Sequence, residues 1–203
     1  MGTFSHMQRN FVLLCLLAQV FLWPLILQTT AQFNRKAAKN SVSYNLRFNK
    51  MRCAHTPYKY TQLHYCFMEQ LSNGSVGLNI SITIPVEINY LGIQTKLFYK
   101  YTTYRPFMID WSMEYCQAAR NGHYSPTTGL MMKIMEETLP DFYYPCPHGN
   151  RTYITFWMFE PKYIMQSIPS GDYRMDVFFR DSADENLVAM QLFGTVRKQG
   201  LLG

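Results

Sequence analysis

From Val76 to Tyr90 an apolar side chain falls on every second residue: Val76, Leu78, Ile80, Ile82, Ile84, Val86, Ile88 and Tyr90. Between them stand Gly77, Asn79, Ser81, Thr83, Pro85, Glu87 and Asn89. A period of two belongs to extended backbone, whose successive side chains leave on opposite faces. A helix is excluded by that period and by the β-branched residues at the apolar positions. Pro85 has no N–H to give to a ladder, so it predicts a bend between two shorter strands or a place on a sheet edge. The sequon Asn79-Ile80-Ser81 puts Asn79 on the polar side, where a glycan has the solvent it needs. A strand with one oily face must lay it on something, and function depends on whether that is only another sheet or also a ligand.

The beginning of the chain reads as an export signal. Arg9 precedes an apolar run from Phe11 to Leu27, and Thr29-Thr30-Ala31 offers small residues for cleavage, so residues 1–31 are expected to be a signal peptide. An uncleaved anchor is the alternative, against which Gln19 and Pro24 interrupt the run. Residues 32–41 read as a flexible basic tail and residues 42–203 as one domain, with no later segment apolar and long enough to span a bilayer. Arg35, Lys36, Lys39, Arg47, Lys50, Arg52 and Lys59 precede the first acidic residue after the leader, Glu69, and the whole chain carries +6. Such a field suits anionic partners such as lipid headgroups or fatty carboxylates, or a plainly solvated face. Nucleic acid is not expected as a partner, since an exported chain without a recognition module has no use for it.

With the leader go the thiol of Cys15 and the odd cysteine count. Cys53, Cys66, Cys116 and Cys146 remain, and an even set in an exported chain predicts two disulfides with three pairings open. The expected pairs are Cys53 with Cys66 and Cys116 with Cys146, each near in sequence and flanking one turn or one helical excursion. The first would clip two neighbouring strands as a hairpin. Zinc is the rival reading, prompted by Cys53-Ala54-His55, His64-Tyr65-Cys66 and Cys146-Pro147-His148, but none has the usual knuckle spacing. No metal and no cofactor is expected.

Taken in order, Val42, Tyr44, Leu46 and Phe48 alternate with polar residues and predict a strand running towards Cys53, and residues 60–71 predict a second. Ser72-Asn73-Gly74 is a hairpin turn signal, and Asn73 heads a second sequon. In the strand after Gly92, Ile93, Thr95, Leu97, Tyr99 and Tyr101 face one way and Gln94, Lys96, Phe98 and Lys100 the other, with Phe98 out of place on a wet face. Trp111, Tyr115 and Ala118 or Ala119 stand at helical spacing, so residues 110–120 read as a helix stopped by Asn121-Gly122. Ser125-Pro126 opens a second short helix with Leu130, Met131, Ile134 and Met135 on one face, ending by Pro140. Strands return with the apolar run 153–159, expected to lie centrally because both of its faces are oily. About seven strands around a helical insertion at residues 108–138 predict a mainly β chain, a two-sheet immunoglobulin-like sandwich.

No enzyme motif is present: no Gly-x-Ser-x-Gly elbow, no His-Glu-x-x-His and no phosphate loop, while His55, His64, His123 and His148 are scattered. Glu136 and Glu137 point apart on a helix, unlike a catalytic pair. What the composition offers instead is soft apolar surface, with 14 Phe, 15 Tyr and 13 Met. That surplus fits either an aromatic-rich closed core or the adaptable wall of a ligand cavity.

Several landmarks occur together in one known group. The pair Cys53 and Cys66, the run Tyr104-Arg105-Pro106-Phe107 followed by Asp110 and Cys116, the dipeptide Cys146-Pro147, and Pro169-Ser170-Gly171-Asp172-Tyr173 resemble short secreted insect proteins similar to the CheB chemosensory proteins. That group looks like a distant branch of the ML lipid-recognition domains and also resembles the ganglioside-activator protein. His148 is a departure, at a position where the group often has an aromatic residue. The resemblance implies an ML-type sandwich that holds a lipid or other hydrophobic small molecule, in chemosensation or lipid-signal handling. On that reading acyl chains would lie among Ile80, Ile82, Ile84, Leu97, Tyr99, Phe156, Met158, Met175 and Val177, with Lys100 and Arg105 at the mouth. The alternative is an extracellular module that binds a receptor protein through strand edges and the helical insertion. Asn73, Asn79 and Asn150 are the expected glycosylation sites.

Overall fold

Eight strands and two helices build the domain, in a computed structural model that describes residues 43–72, 74–122, 125–163 and 168–199. The predicted signal peptide, the basic tail and Asn73 lie outside the described residues. In chain order the elements are β1 (Ser43–Cys53), β2 (Gln62–Gln70), β3 (Val76–Ile88), β4 (Gly92–Lys100), β5 (Tyr104–Glu114), α1 (Tyr115–Asn121), α2 (Pro126–Thr138), β6 (His148–Trp157), β7 (Gly171–Arg180) and β8 (Asn186–Gln199). One sheet has the order β1-β8-β7-β4-β5 and the other β2-β3-β6. The chain is therefore mainly β, a two-sheet sandwich with a helical insertion, as the sequence predicts.

The Val76 run is the middle strand of the smaller sheet. Leu78, Ile80, Ile82, Ile84 and Ile88 are buried and face the other sheet, each burial stabilising by about 1.5–3 kcal/mol. The alternation fails at Val86 and Tyr90, which are exposed. Pairing with β6 shifts register between Ile84 and Glu87, at the proline, so Pro85 marks a bulge inside a central strand and not a sheet edge. Gly149 faces this bulge with φ +85, and a Cβ there would stand 1.9 Å from the Val86 carbonyl oxygen, so no larger residue fits.

Three expectations need correction. Residues 104–114 form a strand, where a helix from residue 110 was expected. The pairs Thr95↔Trp111 and Ile93↔Met113 give β5 its ladder, and Phe107, Ile109, Trp111 and Met113 alternate inward against exposed Met108, Asp110 and Ser112. Helix begins only at Tyr115, where the Glu114 carboxylate accepts from the N–H groups of Cys116 and Gln117, and it stops at Gly122 in the left-handed region. Second, β6 is an edge strand of its sheet, not a central one. Third, β1 and β2 do not form a hairpin, because they belong to different sheets. Both expected disulfides are present, with Cα–Cα distances of 6.0 Å for Cys53–Cys66 and 5.6 Å for Cys116–Cys146.

Those bridges close the two open sides of the sandwich. Cys53 ends an edge strand of the large sheet and Cys66 lies on an edge strand of the small one. Cys116 follows the opposite edge strand, β5, and Cys146 stands two residues before β6. Between β1 and β2 the crossing loop is held by Tyr58, whose buried hydroxyl donates to the Ala189 carbonyl at 3.0 Å and accepts from the Ala189 N–H at 3.1 Å. Phe98, out of place on the wet face of the large sheet, is roofed by the Arg174 guanidinium 4.0 Å from its ring centre.

Candidate ligand cavity

The inner faces of the two sheets do not fill the space between them evenly. Near His148 the fit is close: Phe142 stacks on Tyr153 with ring centres 4.5 Å apart, and Ile80, Ile82, Ile84, Phe179, Val188 and Met190 leave a void of about 30 Å³. His148 sits here, buried, between the rings of Tyr144 at 4.2 Å and Tyr115 at 5.4 Å. It thus occupies an aromatic slot. Burial holds its imidazole below the ordinary histidine range, opposed by a hydrogen bond with the Tyr144 backbone and aided by the nearby Arg151 charge. The same desolvation pushes the Tyr144 phenol up to about 12, with its hydroxyl 2.6 Å from that of Tyr153.

Under α2 the space opens to about 400 Å³. Its floor is the large sheet, with Ile93 and Thr95 of β4, Ile109, Trp111 and Met113 of β5, and Met175, Val177 and Phe179 of β7. Its roof is α2, which contributes Leu130, Met131, Ile134 and Met135, and its far wall is Leu139, Trp157 and Phe159. The helix is positioned from the sequence upward. Ser125 caps it, accepting from the Thr128 N–H at 3.1 Å, and Pro126 occupies the first turn. Its other end is tied to the small sheet, for the Trp157 indole N–H donates to Thr138 Oγ1 at 3.1 Å while that hydroxyl donates to the Ile134 carbonyl. A third void of about 100 Å³ lies next along the large sheet and shares Ile109, Phe159, Tyr163 and Met175 with the chamber.

A cluster of charges latches the rim. Lys162 Nζ stands 2.6 Å from Glu137 and 2.9 Å from Glu160, Lys133 stands 3.8 Å from Glu137, and the Tyr163 hydroxyl donates to Glu137. The hydrogen bonds from Lys162 and Tyr163 hold the Glu137 carboxyl below its usual range, and those to Glu137 and Glu160 raise the Lys162 ammonium. These groups are exposed and screened, so the latch places residues more than it stabilises the domain.

The expected site residues are spread over six places. Met175 and Val177 line the large chamber, Leu97 the neighbouring void, and Ile80, Ile82 and Ile84 the tight end. Tyr99 packs instead in a separate aromatic cluster with Tyr173 and Phe107, and its hydroxyl donates to the Ser170 carbonyl at 3.2 Å. Phe156 and Met158 fall on the outer face of β6 and beyond its end, because Tyr153, Thr155 and Trp157 take the inward positions. Lys100 and Arg105 flank the β4–β5 turn and line none of the three voids, so they do not form the mouth. Asn150 is exposed, and Asn79 lies on the outer face with its amide donating to Glu69 at 2.7 Å. The wall residues Ile109, Trp111 and Met113 were hidden by the helical reading, although their own alternation was the signal. Cys53, Cys66, Cys116 and Cys146 are oxidised in pairs, which leaves no thiolate among the described residues for the zinc reading.

Residues 93–175 are similar to a family described as "Protein of unknown function (DUF1091)". No curated protein matches the chain. Among solved structures it is similar to a Niemann-Pick type C2 protein from Japanese carpenter ant, at 12% identity and a TM-score of 0.34, over 72% of this chain and 96% of that one. It is also similar to chicken MD-1 complexed with lipid IVa, at 9% identity and a TM-score of 0.35, over 78% of this chain and all of that one, 100%.

Proposed function

We propose that this domain encloses a hydrophobic small molecule, a lipid or a compound of lipid-like character, in the chamber under α2, and carries it outside the cell. The supporting observation is the chamber itself: about 400 Å³ walled by aliphatic, aromatic and methionine side chains, within the range of roughly 300–1,000 Å³ usual for small-molecule sites. Methionine has three soft torsions and a polarizable sulfur, so Met113, Met131, Met135 and Met175 suit a guest with a flexible chain. Export is supported by the leader-like start and by two disulfides, which persist in oxidising compartments. No helix among the described residues is long and apolar enough to cross a membrane. The role in chemosensation or lipid-signal handling that the sequence resemblance implies is the setting in which such a carrier would work, and no catalytic role is proposed.

The receptor-binding alternative is favoured by one feature, the apolar outer face of the small sheet, where Tyr65, Phe67 and Ile154 are exposed. Protein secreted by a eukaryotic host, extracted with organic solvent and analysed by mass spectrometry, separates the two. The carrier reading expects a lipid-like molecule near one per protein, or saturable uptake of a polarity-sensitive fluorescent probe by the emptied protein. An extract without ligand together with no saturable uptake overturns it.

A further inference from the structure

From the electrostatics of the chamber we infer that its guest is uncharged, a long-chain alcohol, ester or hydrocarbon and not a fatty acid anion. This rests on the carrier reading above and adds the class of ligand. Among the described residues, none of the side chains that line the chamber is a lysine, arginine, histidine, aspartate or glutamate. Its polar lining consists of the hydroxyls of Thr95, Thr127, Thr138 and Tyr163 and two indole N–H groups. Three of these are already spoken for. Thr138 bonds to Ile134 and to the Trp157 indole, and Tyr163 to Glu137.

A carboxylate drawn into such a space loses its hydration and meets no cation, a cost of several kcal/mol that normally forces neutralisation instead. An alcohol or ester asks for a single hydrogen bond or none. The charges beside the chamber do not change this. Lys162 is held by Glu137 and Glu160, and Lys133 by Glu137, so two cations face two carboxylates in a closed cluster. An anion arriving at Tyr163 would stand next to Glu137, whose carboxyl stays ionised.

Of the basic residues that suggested an anionic partner from sequence, the described ones lie elsewhere. Arg47, Lys50 and Arg52 are exposed on β1, and Lys59 pairs with Glu185 at 3.1 Å. None of these four lines the chamber.

The test uses one chain length with three heads. Dodecanol, methyl dodecanoate and dodecanoate are titrated at pH 8 into the emptied full-length secreted protein, by displacement of a polarity-sensitive fluorescent probe. The alcohol and the ester should bind at least about tenfold tighter than the anion. Leu130, a half-exposed wall residue on α2, provides the second arm: Leu130→Arg should raise dodecanoate affinity relative to that of dodecanol and so narrow or reverse the preference, with circular dichroism confirming the fold. Equal binding of acid and alcohol means that the head stays in water and overturns the inference, while the carrier reading survives. Failure of all three compounds and of the probe to bind overturns the carrier reading itself, and this inference with it.

Discussion

Two regions that share the large sheet as one wall differ more than tenfold in cavity volume, about 30 Å³ beside His148, where the small sheet packs on it, against about 400 Å³ under α2, where the helix covers it. At the tight end sheet packs on sheet, and Ile80, Ile82, Ile84, Phe142 and Tyr153 interdigitate at the density of an ordinary core. At the loose end the cover is a thirteen-residue helix held at its two ends, by Ser125 and by the Thr138–Trp157 bond. Its methionines bridge a gap that β-branched side chains would have to fill. One region therefore supplies stability and the other supplies room.

The largest effects should appear where truncation opens the tight end. Ile82→Ala should cost about 2–5 kcal/mol, whereas Leu130→Ala at the rim of the chamber should stay within about 0.5 kcal/mol, both read from urea denaturation. Equal costs would break the contrast between a packed end and a roomy one.

Removing a disulfide comes next, because each bridge restrains the unfolded chain. With separations of 13 residues for Cys53–Cys66 and 30 for Cys116–Cys146, paired Cys→Ala changes should cost about 3 and about 3.6 kcal/mol respectively on the chain-entropy account. The second pair also anchors the segment that carries α2. Its loss should weaken uptake of a hydrophobic probe as well as stability, and the first should not; titration of both variants decides this.

A volume increase sharpens the comparison from the other side. Val177→Phe adds a ring towards the chamber and should cost under about 1.5 kcal/mol because space exists to receive it, yet probe uptake should fall sharply. Thermal melts and titration of one sample report both, and an overpacking penalty as large as that of Ile82→Phe would show that the chamber is not available space.

The smallest effect is a pH dependence confined to the tight end. Burial lowers the His148 pKa in the folded domain, so the unfolded chain takes up its proton first as the pH falls. Stability from this group is complete above about pH 6.5, its unfolded value, and declines as the pH drops from there towards the depressed folded value. His148→Phe should flatten the melting-temperature profile between about pH 7 and pH 5.5. A variant that keeps the wild-type slope would assign the loss to other groups.

Much of this architecture was legible in one dimension because it is local. The alternation from Leu78 to Ile84, the Ser125-Pro126 start of α2 and the Asn121-Gly122 stop of α1 are set by side-chain spacing and capping that neighbours in sequence decide. Cysteine proximity also gave the correct partners. The reading failed where a residue satisfies two periods at once: Trp111 and Tyr115 fit a helix, while Ile109, Trp111 and Met113 fit a strand. Only the ladder offered by β4 selects the second.

The residues by themselves determined that the chain is mainly β, which face of β3 is oily, where α1 stops and where α2 starts, since these follow from backbone preference, capping and burial of apolar periodicity. Tertiary structure alone decided that the disulfides join two sheets and not neighbouring strands, that Phe156 and Met158 turn outward, and that empty volume gathers under α2. Such features depend on which strand lies beside which and on how well distant side chains fill the space between layers, and no local pattern encodes that distance.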